Sequence, residues 1–212
     1  MKEITTKDSC IYADFEVLCD YDLYEEFQKQ TEILIEEGKY AVVAIYRTDN
    51  NRSISLPVSK IYDFLSKLPL ITILVADDFN NTDPELLFAF DMRVGKGPYT
   101  IKAALGYDGF AYDFNARFVH LFGKNEYKKM IECHNGNRDY TSDLLIIDCT
   151  DSDSVFDCAN KYIDSLTAGK STFQLNSILK CYSHVKCSET ADTEKMSDEE
   201  LLQFVTQIVH IS

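Results

Sequence analysis

Apolar positions along the chain alternate between helical spacing and short continuous runs. Leu23, Phe27, Thr31 and Leu34 recur at helical spacing, and Gly38 ends the helix that they predict. Further segments follow in the same manner: strand 41–46, helix 61–68, strand 70–75, helix 86–90, and strands 92–94 and 99–105 around a turn. Strands and helices in this order predict β-α units with helices packed on a sheet.

The second half of the chain is predicted to be mainly helical. Its segments are a helix capped by Asp113 that carries Phe114, Phe118, Leu121 and Phe122, a helix over 126–133, a short strand over 144–147, a helix over 155–166 closed by Gly169, a helix over 171–184, and a last helix over 197–208. A polar linker spans 187–195. We therefore expect a core domain over residues 1–186, followed by a linker and C-terminal helix over residues 187–212.

A polar turn follows the predicted strand 70–75 and leads into a short helix. Asp83 is a good N-cap, Pro84 suits the first helical position, and Glu85 suits the first turn, where the helix dipole favours negative charge. This turn is the most informative polar segment of the chain.

Composition narrows the class of partner. The chain of 212 residues is 45% hydrophobic, and no apolar run approaches the roughly 20 residues that a membrane-spanning helix needs. Its net charge of −14 argues against nucleic acid and membrane surfaces as partners. Residues 1–38 hold eleven acidic residues against three lysines. These acids are either a solvated helix face or a surface for a basic partner.

Cysteines and short motifs add little chemistry. Seven scattered cysteines predict reduced thiols, and together with the absence of a signal-like N-terminus they favour a cytoplasmic protein. The stretch 168–172, AGKST, follows a helix rather than a strand and lacks the first glycine of a phosphate-binding loop. Cys181, His184 and Cys187 lack a fourth zinc ligand, and the adjacent Cys133 and His134 would diverge on a helix. No metal or cofactor is expected.

One resemblance to a known family rests on residues 69–94, which read PLITILVADDFNNTDPELLFAFDMRV. This segment resembles, without a gap, the central motif of the crotonase (enoyl-CoA hydratase/isomerase) superfamily. Flanking segments extend the resemblance from Leu23 to His184, including the LFGK at 121–124. The resemblance implies a spiral of ββα units with helices packed on the sheet and a shortened C-terminal helical region.

The resemblance also implies a set of site residues. In that family two backbone N–H groups form an oxyanion hole for a thioester carbonyl. The second donor falls on Thr82, between Asn81 and Asp83, where the family has glycines. The first donor belongs to a turn that is here shortened, at residues 51–55. Glu85 matches the first of two catalytic carboxylates, whereas the second, expected near Lys102 or Ala103, is missing.

The resemblance leaves two main functions open. One is a non-catalytic or accessory subunit in acyl-thioester (acyl-CoA or carrier-bound) biosynthetic metabolism, paired with a full-length crotonase or assembled as a trimer-like homo-oligomer. The other is an active hydratase-, isomerase- or decarboxylase-like enzyme that uses Glu85 and a single oxyanion N–H at Thr82. In either case Asn81, Asp83, Lys102 and Ala103 would line the pocket. A third possibility is a pocket that takes another small molecule or is filled by side chains.

Overall fold

A computed structural model describes residues 4–48, 54–79, 82–101, 112–143, 147–149 and 154–168. Its strands are β1 (Thr5–Lys7), β2 (Cys10–Asp14), β3 (Val42–Arg47), β4 (Ile71–Ala76), β5 (Met92–Gly95), β6 (Tyr99–Ile101), β7 (Tyr140–Ser142) and β8 (Ile147–Asp148). A six-stranded sheet has the order β1-β2-β3-β4-β5-β8, and β6 pairs with β7 in a second, two-stranded sheet. Every pairing from β2 to β8 in the large sheet is parallel, whereas β1 is antiparallel at the edge.

The helices are α1 (Tyr21–Glu36), α2 (Val58–Lys67), α3 (Pro84–Ala89), α4 (Tyr112–Asn135) and α5 (Val155–Thr167), with a 3-10 helix at Phe15–Leu18. From β2 to β5 a helix lies between each strand and the next, so the parallel pairing of these four strands follows from the alternation in the sequence. Gly123, at φ 83° and ψ 164°, interrupts α4. The two helices predicted over 114–122 and 126–133 are therefore the two halves of α4.

The centre of the sheet consists of β3 and β4. Ala44 and Ile45 of β3 and Ile73, Leu74 and Val75 of β4 have no exposed surface. Strands buried on both faces read as continuous apolar runs rather than alternating ones, which explains the pattern in the sequence. Successive side chains still point to opposite faces.

This alternation matters most at the end of β3, where one face carries a helix and the other leads to the turn. The Tyr46 ring stacks on Phe156 of α5, with 5.3 Å between centroids. The next residue, Arg47, points to the other face, where its guanidinium lies over the Phe15 ring at 4.8 Å from the centroid. The C-terminal end of β3 therefore places a buried cation on the face away from α5.

Several sequence predictions are corrected by the structure. Strands β1, β2 and β7 were not predicted, and residues 5–18 form a hairpin followed by a 3-10 helix. Asp113 lies inside the first turn of α4 rather than at its cap. The predicted helices over 171–184 and 197–208 and the boundary at residue 186 lie outside the described residues.

The prediction of reduced thiols is wrong for one pair of cysteines. Cys149, after β8, is bonded to Cys158 of α5, with 6.0 Å between the α-carbons. Cys10 and Cys19 form no disulfide and are buried, as small hydrophobic side chains are. Burial raises the pKa of the Cys10 thiol to about 12, which leaves it unreactive at neutral pH.

Within the described residues, every helix is too short or too polar to span a bilayer.

Candidate functional site

The candidate site is the turn between β4 and α3. Asp83 caps α3 as predicted: its Oδ1 accepts hydrogen bonds from the backbone N–H groups of Glu85, at 2.8 Å, and Leu86, at 3.4 Å. Pro84 takes the first helical position, where its missing N–H costs nothing. The helix N-terminus is thus satisfied by a carboxylate from its own chain.

Two further backbone donors of the turn are also occupied. The N–H of Thr82 donates to the carbonyl oxygen of Phe79 at 2.8 Å, and the N–H of Leu87 donates to the carbonyl oxygen of Asp83 at 2.9 Å. Thr82 is the position that matches the oxyanion donor in the crotonase resemblance. In this conformation its N–H bonds to the protein, and the turn must open before that N–H can bind a ligand.

Thr82 is also held by two side chains from distant strands. Arg47 at the end of β3 donates from its Nη1 to the Thr82 hydroxyl, and Tyr99 of β6 donates from its hydroxyl to the Thr82 carbonyl oxygen at 3.0 Å. Thr82, Arg47 and Tyr99 are only 5%, 4% and 1% exposed. Buried polar groups in a connected network fix a conformation strongly, because breaking one bond leaves its partner unsatisfied.

Phe79 fills the space behind the turn. It is 1% exposed and lies against Gly95, the last residue of β5. A β-carbon at Gly95 would lie 2.3 Å from Cε2 of Phe79 and 2.6 Å from the carbonyl oxygen of Ala76. The glycine therefore permits the aromatic ring to occupy this position.

In the second half of residues 69–94, Asp91 and Arg93 make hydrogen bonds that stabilise the fold around the site. The Asp91 carboxylate accepts hydrogen bonds from the N–H and the hydroxyl of Thr72 in β4, both at 2.8 Å. The Arg93 guanidinium donates to the carbonyl oxygens of Phe90, at 2.9 Å, and Asp91, at 3.3 Å. These two residues tie the end of α3 to β4 and β5. They hold the frame of the site.

Of the predicted site residues, the structure brings Thr82, Asp83 and Glu85 together at one turn. Thr82 is buried, Glu85 is half-buried and Asp83 is exposed. Asn81, Lys102 and Ala103, and the shortened turn at 51–53, lie outside the described residues.

A buried carboxylate that the sequence did not predict lies near the end of β6. Glu126 of α4 accepts a hydrogen bond from the hydroxyl of Tyr140 at 2.7 Å and pairs with Lys129 at 2.5 Å. Both contacts hold the pKa of Glu126 below its ordinary value, Lys129 most strongly. Tyr140 is paired with Ile101, the residue before Lys102. Glu126 therefore joins α4 to the small sheet, whose strand β6 ends one residue before Lys102 in the sequence.

Comparison with solved structures gives a consistent set of similar proteins. A candidate enoyl-CoA hydratase/isomerase from Acinetobacter baumannii matches with a TM-score of 0.63 and 12% identity over 99% of this chain and 96% of that chain. A methylmalonyl-CoA decarboxylase matches with a TM-score of 0.60 and 10% identity over 100% and 90%. A candidate polyketide-biosynthesis enoyl-CoA hydratase from Bacillus subtilis matches with a TM-score of 0.57 and 13% identity over 99% and 96%.

The chain has the crotonase fold. The predicted fold class is thereby confirmed, although no family model and no curated protein matches the sequence. At such low identity the likeness concerns the fold, and the crotonase fold supports several reactions, as the hydratase and decarboxylase names above illustrate.

Within this crotonase fold, the polar network around Thr82 could be recognised in the sequence only in part. The turn and its helix cap followed from the order of residues 82–85. The sequence indicated Arg47 only as a charged residue at the end of an apolar run. Nothing in the sequence pattern indicated a role for Tyr99 or Phe79. Among the described residues, no group of three or more His, Cys, Asp or Glu side chains could hold a metal ion.

Proposed function

We propose that this chain is a crotonase-fold protein without catalytic activity, acting as an accessory subunit in cytoplasmic acyl-thioester biosynthetic metabolism. The observation that carries the proposal is the hydrogen bond from the Thr82 N–H to the Phe79 carbonyl oxygen, at 2.8 Å. An oxyanion hole needs donors that point at the developing charge and are already unengaged when the substrate arrives. Here the equivalent donor bonds to its own turn.

Electrostatics supports the same proposal. The Asp83 carboxylate takes the first N–H groups of α3, and these are the donors that a negatively charged ligand would use at a helix N-terminus. A second negative charge at this point would be repelled. The net charge of −14 also disfavours polyanionic coenzyme A and acidic carrier proteins.

The packing around the turn supports a closed conformation. Phe79 lies behind it against Gly95, while Arg47 and Tyr99 hold Thr82 from two other strands. To free the Thr82 N–H, the turn would have to break its bond to Phe79 and disturb the buried network. We therefore interpret the turn as an inherited structural element.

An active enzyme remains the second candidate because of Glu85. This residue lies in the first turn of α3, is half-buried, and matches the first family carboxylate without a gap. A half-buried carboxylate in the first turn of a helix can act as a general acid or base when it lies within hydrogen-bond reach of the reacting group. Such an enzyme would have to rearrange the turn on binding its substrate.

The proposal is tested by titrating the purified chain with crotonyl-CoA and methylmalonyl-CoA in a calorimeter and assaying hydration and decarboxylation of the same compounds. We expect neither micromolar binding nor turnover. Turnover that Glu85→Gln abolishes, while Glu132→Gln on the exposed face of α4 preserves it, would establish the second candidate instead. Turnover unaffected by Glu85→Gln would contradict both.

The accessory role is tested by the state of the chain in its native cell. We expect it to co-purify with a full-length crotonase or as a trimer-like homo-oligomer, with a mass by light scattering that exceeds the 24.3 kDa of one chain. A monomer with no crotonase partner would contradict the accessory role, but it would not contradict the proposed lack of catalytic activity.

A further inference from the structure

A groove on the protein surface separates α1 from α2 and shares no residue with the turn. Its volume is about 570 Å³, and it is open to solvent rather than enclosed. Its apolar surface comes from the half-buried side chains of Phe64 in α2 and Ile35 in α1. Phe64 meets the ring of Tyr24 edge to face, with 5.9 Å between ring centroids, and Tyr24 and Leu68 are themselves buried.

The floor of the groove is preformed. The hydroxyl of Tyr24 donates to the carbonyl oxygen of Lys60 in α2 at 3.0 Å, which fixes the ring between the two helices. Phe64 also meets the ring of Phe27, with 5.9 Å between centroids. An incoming apolar side chain would therefore find a surface that needs little ordering on binding.

The two walls of the groove differ in charge. On the α2 side the lysines are already engaged: Lys67 pairs with Asp63 at 2.6 Å, and Lys60 lies over the Tyr21 ring at 4.5 Å. On the α1 side Glu32 and Glu36 line the groove, and neither joins an ion pair within the described parts of the chain.

Glu32 and Glu36 belong to a wider acidic surface. The segment from the N-cap of α1 to its C-cap holds seven acidic residues and one lysine, Lys29; the acids are Asp20, Asp22, Glu25, Glu26, Glu32, Glu36 and Glu37. Most of these side chains are exposed, and so is Ile33, at 52%. Like charges along one helix face destabilise the helix slightly, so an opposite charge supplied from outside would be favourable.

We propose that the α1–α2 groove binds a basic amphipathic helix of a partner protein. An apolar side chain of that helix would cover Phe64 and Ile35, and lysine or arginine side chains would lie against Glu32 and Glu36. Helix-in-groove recognition combines such apolar anchors with charged flanks. The groove is too open to enclose a small molecule, which normally buries most of its surface in a pocket. A second copy of this chain would bring another acidic α1 and be repelled.

This proposal goes beyond the accessory role and does not depend on it, because the groove and the turn have no residue in common. It also applies both interpretations of the acidic N-terminal region, a surface for a basic partner and a solvated helix face, to different parts of α1. The acids near the groove are a binding surface, and those elsewhere on α1 are solvated.

The test uses the whole chain and a fluorescently labelled amphipathic peptide of leucine and lysine. A peptide with glutamate in place of every lysine is the control ligand. We expect saturable binding of the lysine peptide, weakened by salt, and no binding of the glutamate peptide. Failure of the lysine peptide to bind at low salt would overturn the proposal.

Variants separate the groove from general attraction to an acidic protein. Glu32→Lys with Glu36→Lys should weaken binding by about tenfold or more, whereas Glu25→Lys with Glu26→Lys, which changes the net charge equally, should weaken it by less than about threefold. Equal losses in the two double variants would mean attraction to net charge only and would overturn the proposal.

Paired isoleucines on α1 test the apolar part. Ile35 lines the groove and Ile33 does not, so Ile35→Asn should weaken peptide binding by about tenfold and Ile33→Asn should not. Thermal unfolding of both variants verifies that they are folded. If sedimentation instead reveals a dimer of this chain that Ile35→Asn dissociates, a second copy occupies the groove and the proposal is wrong.

Discussion

Gly95 and Phe79 are in closer contact than any other residue type at position 95 would allow. A methyl group on the α-carbon of Gly95 would lie 2.3 Å from the ring carbon Cε2 of Phe79. The carbonyl oxygen of Ala76, part of the neighbouring strand, would be 2.6 Å away on another side. A flexible side chain could move aside, but an aromatic ring buried in a packed core and a strand backbone cannot do so cheaply.

We predict that Gly95→Ala destabilises the protein by about 3 kcal/mol and displaces Phe79 from the turn. Gly97→Ala is the matched control, because Gly97 has open space around its α-carbon and only a positive φ of 69°. It should cost about 1 kcal/mol. Urea unfolding of both variants measures the difference, and equal losses would show that the close contact is not the cause.

The cap of α3 provides a second prediction. Asp83→Ala removes the acceptor for the Glu85 and Leu86 N–H groups and should lower the free energy of unfolding by about 1 kcal/mol. Asp83→Asn keeps an acceptor and should cost less. If both substitutions leave stability unchanged, Asp83 does not cap the helix in solution.

The third prediction concerns pH. The pKa of Glu126 is lowered in the folded protein by Lys129 and Tyr140, so the folded state favours the charged carboxylate. This stability is fully present above the ordinary glutamate pKa and is lost as the pH falls through the lower, folded value. Glu126→Gln should therefore cost about 1 kcal/mol at pH 7, with a difference from the native chain that shrinks in acid.

Chemical denaturation at a series of pH values measures this difference. Glu132→Gln, at an exposed position on the same helix, should change stability by less than about 0.5 kcal/mol at every pH. A gap between native chain and Glu126→Gln that stays constant down to pH 3 would contradict the assignment.

The bond between Cys149 and Cys158 provides a fourth prediction. The two residues are nine apart in sequence, and closing so short a loop stabilises the oxidised protein by about 2–3 kcal/mol in the chain-entropy model. Cys158→Ser should lose this amount without reductant and nothing with it. Alkylation followed by mass spectrometry should find the two thiols protected only before reduction, and a full count of reactive thiols in unreduced, unfolded protein would disprove the bond.

Much of the frame could be predicted from the sequence because buried parallel strands leave a strong local pattern. The apolar runs of β3 and β4 and the helical spacing of α1 and α2 are visible in isolation. β2 was missed because Cys10–Asp14 is short and lies among acidic residues, and its pairing with β1 and β3 stabilises it as a strand. β7, with three residues, likewise depends on β6.

The sequence predicted the turn of the site, but it did not predict the hydrogen bonds that keep the turn closed. A capped helix is predicted at Asp83, Pro84 and Glu85, because each residue type suits its position at a helix N-terminus. The state of the Thr82 N–H depends on where Phe79 packs, and the position of Thr82 depends on Arg47, which is 35 residues away in the sequence. Such long-range contacts follow from the packed fold and leave no periodic signal.

The strand order also bears on how the chain can fold. β2, β3, β4 and β5 are adjacent in the sheet in the same order as in the sequence, so each new strand can add to a template that has already been synthesised. Among the strands of the described residues, β8 alone must return to the large sheet after a long interval, since Ile147 pairs beside β5, which ends at Gly95. Contacts of such long sequence separation form slowly. We therefore expect the sheet to grow from its N-terminal side on the ribosome, leaving the edge of β5 exposed until β8 arrives.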